Sequence, residues 1–187
     1  DEPMGEARAC GGIAMMRTDA LVQAGGFLPG LVAGEEPELC VRLRVSKWKV
    51  WRLGADMAWH DAEMTRFGQW WARTVRSGHA YAEGAFLHGA PPERHWVRES
   101  KRAWLWGLWI PVAIVAACIA WGWGGLLLSL IYPLQVIRLA LRGKRTPREN
   151  WWQAFFLVLG KFPEMLGQIK YWLTIVSAGK TALIEYK

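Results

Sequence analysis

The chain has 187 residues, 52% of them apolar and 14 of them Trp, and a net charge of +7 from 23 basic and 16 acidic side chains. So many tryptophans in so apolar a chain suit a place where an apolar body meets a polar edge, such as a membrane interface, rather than an ordinary soluble domain. Cys10, Cys40 and Cys118 fit no zinc or redox spacing and argue against a disulfide framework, so a reduced, cytosol-facing setting is expected.

The chain opens Asp1-Glu2-Pro3 without an initiating Met and reads as a fragment. Residues 12–16, Gly-Ile-Ala-Met-Met, predict a strand. Thr18 is placed to cap a short helix through Ala24, and Gly25-Gly26 to end it in a left-handed turn. Residues 34–44, Gly-Glu-Glu-Pro-Glu-Leu-Cys-Val-Arg-Leu-Arg, predict a helix with Pro37 in its first turn, Glu35, Glu36 and Glu38 at its positive end and Arg42 and Arg44 at its negative end. Leu39 and Leu43 should face a core. Capping alone explains these acids without an active site; the other reading is that one carboxylate, released by the flexible Gly34, faces a cleft. Residues 48–53 and 55–60 predict two further strands. The first 65 residues thus read as α/β, with too few strands to close a doubly wound sheet, the rest of which is expected upstream.

From Arg66 onward the pattern becomes helical. Arg66, Gln69, Arg73 and Arg76 gather on one side of a wheel and Phe67, Trp71 and Val75 on the other, as in a helix lying at a bilayer surface. The arginines suit lipid headgroups or a diphosphate equally. His79 and Glu83 lack the rest of a zinc motif. From Ala103 to Ile137 no residue is charged, and one straight helix of that length would run roughly 50 Å against a bilayer core of about 30 Å. A break at Gly122-Trp123-Gly124-Gly125 therefore predicts a transmembrane hairpin over 103–142. Arg94, Arg98, Lys101 and Arg102 before it, and Arg138, Arg142, Lys144, Arg145 and Arg148 after it, place both ends on the cytoplasmic side of a cell (inner) membrane, as a multi-pass anchor. Basic patches with aromatics also bind single-stranded nucleic acid, but the adjacent apolar spans make the membrane the better partner, and no nucleic acid is expected. After a basic loop, the apolar positions from Phe162 to Val176 repeat at helical spacing and predict an interfacial tail over 143–187, with a third span over 151–176 as the alternative.

Residues 9–61 carry, in order, Gly11-Gly12, Arg17, Gly25-Gly26-Phe27, Glu35-Glu36, Leu39, Arg42 and His60. In that order they resemble the C-terminal part of the catalytic domain of family 2 glycosyltransferases, whose Rossmann-like GT-A fold binds a nucleotide-sugar. The resemblance implies that Glu36, with Glu35 as the weaker candidate, is the general base of an inverting transfer, and that His60 helps hold a divalent metal, Mg or Mn, on the donor diphosphate. Gln69, Arg73 and Arg76 are candidate phosphate-binding residues, although the Gln-x-x-Arg-Trp motif of processive relatives is not matched. The Asp-x-Asp of the family is also absent. The function implied is a membrane-bound glycosyltransferase moving a sugar from a nucleotide-sugar to a lipid-linked, polyprenyl phosphate or polysaccharide acceptor. The alternative is a non-catalytic, membrane-anchored interaction subunit derived from such an enzyme. Oligomeric state is not legible.

Overall fold

The computed structural model describes residues 4–54 and 64–178. Two three-residue strands, β1 (Gly5–Ala7) and β2 (Val50–Arg52), pair antiparallel with Gly5 opposite Arg52 and Ala7 opposite Val50. Between them run two helices, α1 (Thr18–Gln23) and α2 (Glu35–Val45). The rest is helical: α3 (Phe67–His88), α4 (Val97–Trp104), α5 (Ile110–Trp121), α6 (Ile131–Leu141), α7 (Pro147–Leu159) and α8 (Lys161–Ala178).

This corrects the α/β expectation. A single antiparallel ribbon among the described residues is not a Rossmann-like, GT-A sheet, and the chain is predominantly helical. Residues 12–16 are apolar enough for a strand but have no strand beside them among the described residues; Ile13 and Met15 are exposed and the segment is irregular. Extended chain without a ladder partner leaves its N–H and C=O groups to water. The predicted strand over 48–53 survives only as β2, and the one over 55–60 lies outside the described residues.

Helix ends follow local chemistry closely. Arg17 rather than Thr18 occupies the position before α1, and α1 ends where Gly25 (φ 80°) donates to the Val22 carbonyl at 3.0 Å and Gly26 to that of Leu21 at 2.9 Å, the paired reverse bonds of a left-handed cap. The same cap closes α2, with Lys47 at φ 67° and Trp48 N–H donating to Leu43 at 2.9 Å. Helix α2 begins at Glu35, two residues before Pro37, because the first turn of a helix has no backbone acceptor for its N–H groups and tolerates proline there. Leu39 and Leu43 bury as expected, against Ala20, Met16, Leu21, Ala24 and Trp48.

The helical part is organised by close backbone approach. Helices α3 and α8 form its most extensive pair. A Cβ on Gly78 would overlap the Glu164 carbonyl, and one on Gly167 the Val75 carbonyl, so only glycine permits the crossing. Gln168, fully buried, donates to the Ser100 carbonyl at 3.1 Å and accepts from the Ser100 hydroxyl at 2.6 Å, tying α8 to α4. Of the region after residue 142, residues 147–159 and 161–178 are helical. Thr146 caps α7, its side chain paired with Glu149, Pro147 takes the first helical position, and α8 buries Met165, Gln168 and Tyr171.

One helical run, Val97–Leu141, is long and apolar enough to cross a membrane; its most apolar stretch has a mean hydropathy of 2.1 and only 11% of it is buried. The run is not straight. After a π-helical turn at Leu105–Trp109 and α5, Gly122 leaves helical geometry (φ 63°, ψ −146°), and residues 122–130 wind as a 3₁₀-helix back along α5. Gly125 meets the backbone of Ala117 and Cys118, and the Tyr132 hydroxyl donates to the Trp106 carbonyl at 2.7 Å.

Candidate functional site

Helix α2 is fixed before its acids are considered. Gly34, at φ 87°, lies under the Trp96 ring so closely that a Cβ would overlap the ring. Trp96 itself holds φ 51°, a left-handed conformation that non-glycine residues seldom adopt, and stacks on His95 with centroids 4.2 Å apart. On the other side Arg76 of α3 donates through Nε to the Val32 carbonyl at 2.7 Å. Loop 31–34 is thus held between α3 and the segment leading into α4.

Three neighbouring acids of α2 take different environments. Glu38 is 1% exposed and accepts from Arg42 (Nη2 at 2.7 Å and Nε at 2.8 Å) and lies 2.7 Å from Nε2 of His88. Burial alone would raise its pKa, but the Arg42 and His88 hydrogen bonds outweigh it and hold the carboxyl below its ordinary value. Arg42 also donates to the Ala24 carbonyl. Two residues further, Arg44 pairs with Glu93, whose carboxyl is likewise held low by that hydrogen bond, and Arg8 stands 3.7 Å from the same carboxylate. These charges bind α2 to the loop between α3 and α4. Glu35 and Glu36 remain half-buried at the first two helical positions, and a Cβ on Gly12 would lie 3.3 Å from Oε1 of Glu36. The Glu36 carboxylate therefore faces the exposed Gly11-Gly12 segment, at the end of α2 whose unpaired N–H groups favour negative charge.

The other expected site residues separate. Gln69 turns back to the start of α3, where its Oε1 accepts from the Thr65 and Arg66 amides at 3.2 and 3.1 Å; it is a helix cap. Arg73 is exposed on α3. Arg76 is exposed but carries the bond to Val32. His60 lies outside the described residues. Among the described residues no group of three His, Cys, Asp or Glu side chains is placed to hold a metal ion, and no chemical step is assigned to one.

Two features escaped the sequence. Cys10 and Cys40, thirty residues apart, bring their sulfurs to 3.4 Å as free thiols, and burial, followed by the Cys40 contact, pushes the Cys10 thiol up to about 12. Below loop 31–34, His79 and Glu83 are buried on α3 with Nδ1 and Oε2 at 3.7 Å, too far for a hydrogen bond. Burial lowers the His79 pKa; it raises that of Glu83, opposed by the Val32 backbone and reinforced by Glu35. The pair is driven toward its neutral form. The only sequence signal was a His and a Glu on one helical face.

Comparison of the chain with families of known proteins, with characterised proteins and with solved structures gives no match.

Proposed function

We propose that this chain works in a membrane-bound inverting glycosyltransferase, with Glu36 as the general base and a nucleotide-sugar as donor. The observation that carries the reading is the division of labour on α2. Glu38, Arg42 and Arg44 are consumed in fixing the helix, while Glu36 projects from its first turn toward an exposed glycine pair, beside a run apolar enough for a bilayer. A carboxylate so placed takes the proton from an acceptor hydroxyl as that oxygen attacks the anomeric carbon. The nucleoside diphosphate departs from the opposite face, and the configuration at that carbon inverts.

Glu in place of the Asp of the resembled family moves the carboxylate out by one methylene, and Gly12 leaves the space for it. Arg73 and the free nitrogens of Arg76 supply charge for a diphosphate or a lipid phosphate. The membrane run makes a lipid-linked acceptor, a polyprenyl phosphate or a growing polysaccharide, the substrate class in keeping with the site. In this reading residues 105–141 enter the bilayer of the inner membrane as a hairpin, with the Glu36 region on the cytoplasmic face beside the basic flanks.

The test is sugar transfer by membranes holding the full protein, with a panel of radiolabelled nucleotide-sugars and endogenous lipid acceptors. Glu36→Gln should lower transfer by about two orders of magnitude or more at unchanged protein level, and Glu35→Gln should not. Retained transfer in Glu36→Gln refutes the assigned base.

A further inference from the structure

Glu36, Cys40 and Arg44 recur every fourth residue and form one row along α2. Residues 8–12 run antiparallel to that row. The Arg44 guanidinium donates to the Arg8 carbonyl, the Cys10 sulfur lies 3.4 Å from that of Cys40, and a Cβ on Gly12 would lie 3.3 Å from Oε1 of Glu36. Two residues of extended chain advance about 6.6 Å and four of helix about 6 Å, so the two rows stay in step. The meeting of the thiols is set by this register and not by a chance rotamer.

Both rows are anchored. Helix α2 is fixed by the Glu38–Arg42 and Arg44–Glu93 pairs, and β1 holds the chain just before Arg8 against β2. Cys40 is fully buried and Cys10 half-buried, and both line a cavity of about 350 Å³ with Met16, Leu43 and Trp48. A small polar oxidant reaches the sulfurs through it. Cys118, on α5, does not line this cavity. To bond, the sulfurs must close from 3.4 Å to about 2 Å. Cys10 supplies that movement, since it precedes Gly11-Gly12 in an irregular segment and nothing lies within 4 Å of an added Gly11 Cβ. Burial keeps the Cys10 thiol protonated, so the pair persists as a dithiol in a reducing setting.

We propose that Cys10 and Cys40 form a thiol-oxidation site, which hydrogen peroxide converts to an intramolecular disulfide tying residues 8–12 to α2. One sulfur attacks a peroxide oxygen, the O–O bond breaks, and a sulfenic acid and one water result. The other sulfur then attacks the sulfenic sulfur, and its hydroxyl leaves with the remaining thiol proton as a second water. Two thiols and one peroxide thus give one disulfide and two waters, the sulfurs being oxidised and the peroxide reduced. A dithiol reductant reverses the bond by exchange. The site stands on the two sulfurs and their register, whether or not Glu36 is a base.

The experiment uses the full chain in detergent, reduced and then treated with hydrogen peroxide, unfolded and labelled with a maleimide, and mapped by peptide mass spectrometry. The three cysteines should all label before oxidation, and after it only Cys118, with a Cys10–Cys40 cross-linked peptide two hydrogens lighter than its parts. Dithiothreitol should restore all labels. Hydrogen exchange over residues 8–16 should slow about tenfold in the oxidised protein and recover on reduction. Cys40→Ser puts a hydroxyl at a fully buried position, so Cys10→Ser, at the half-buried one, is the control for folding; it should give neither the cross-link nor the slowing. Full labelling after peroxide, bridges to Cys118 or between chains, or sulfinic acid in place of the bridge overturns the site. The same slowing in Cys10→Ser would assign it to methionine oxidation and overturn the tether.

Discussion

Glu36 and Glu38 are separated by one proline on the same helix, yet Glu38 is a structural anion and Glu36 is the carboxylate to which the proposed chemistry is assigned. The difference lies in what reaches them. Glu38 points inward to Arg42 and His88, and removing both partners would leave a buried charge uncompensated, whereas Glu36 faces Gly12. His95 completes this region from the loop side, and its ring, pressed on Trp96, has its pKa lowered by burial, and further by His88 and Arg44, to about 4 from 6.5. A histidine depressed in the folded state binds its proton more readily when unfolded. Its stabilising contribution is therefore complete above pH 6.5 and is lost as pH falls from about 6.5 to about 4. Glu38, also depressed, contributes above the ordinary carboxylate range and loses its contribution at still lower pH, so both act in the same direction. Melting of the protein in detergent should fall between pH 7 and pH 5. His95→Phe, which keeps the stack on Trp96, should reduce that fall, leaving the part due to His79. An identical pH dependence in the variant would remove His95 from the account.

At the scale of elements, contact between helices is set by what is missing from their surfaces. The α3–α8 crossing needs Gly78 and Gly167 because each faces a backbone carbonyl of the other helix, which cannot move aside as a side chain could. Gly167→Ala should cost about 3 kcal/mol through forced separation of the helices. Gly124→Ala, with nothing within 4 Å of the added carbon, should leave the melting temperature unchanged. A Gly167→Ala protein that melts like the parent would mean the helices do not cross there. Neither glycine stood out in the sequence, since a glycine within a helical pattern reads the same whether it faces a neighbour or water. Local chemistry was legible where a residue acts on its own backbone: Gly25-Gly26 as a left-handed stop, Pro37 in a first turn. The Thr146-x-x-Glu149 box was equally local, but the surrounding basic residues drew attention to a loop. Residues 12–16 show the apolarity of a strand, while a strand exists only with a neighbour to pair with, and pairing is not written in the segment itself. The contact of Glu38 with His88 spans fifty residues and has no sequence signature.

For the whole molecule the decisive feature is where the apolar run reverses. As one straight helix, Val97–Leu141 would overshoot a bilayer by a wide margin, and its central residues would have to remain helical through Gly122, which sits at φ 63°. Folded at Gly122, residues 105–121 make an arm of roughly 25 Å. That falls a few ångströms short of the roughly 30 Å core, a mismatch a bilayer accommodates by thinning. In the proposed arrangement Trp104, Trp106 and Trp109 lie at one boundary and Trp121 and Trp123, 75% and 88% exposed, at the other, where indole rings prefer to sit. The return is locked by Gly125 against Ala117 and by the Tyr132 to Trp106 hydrogen bond. In the proposed arrangement this return brings both basic flanks to one side of the membrane, the side on which α2 and its carboxylates lie. In a variant whose three cysteines are replaced, a single cysteine introduced as Trp123→Cys should react with a membrane-impermeant maleimide from outside intact spheroplasts. Lys144→Cys and Arg98→Cys should react only after permeabilisation. Labelling of Lys144→Cys from outside would mean that the second arm does not return, placing the α6–α7 turn and the Glu36 region on opposite sides of the bilayer.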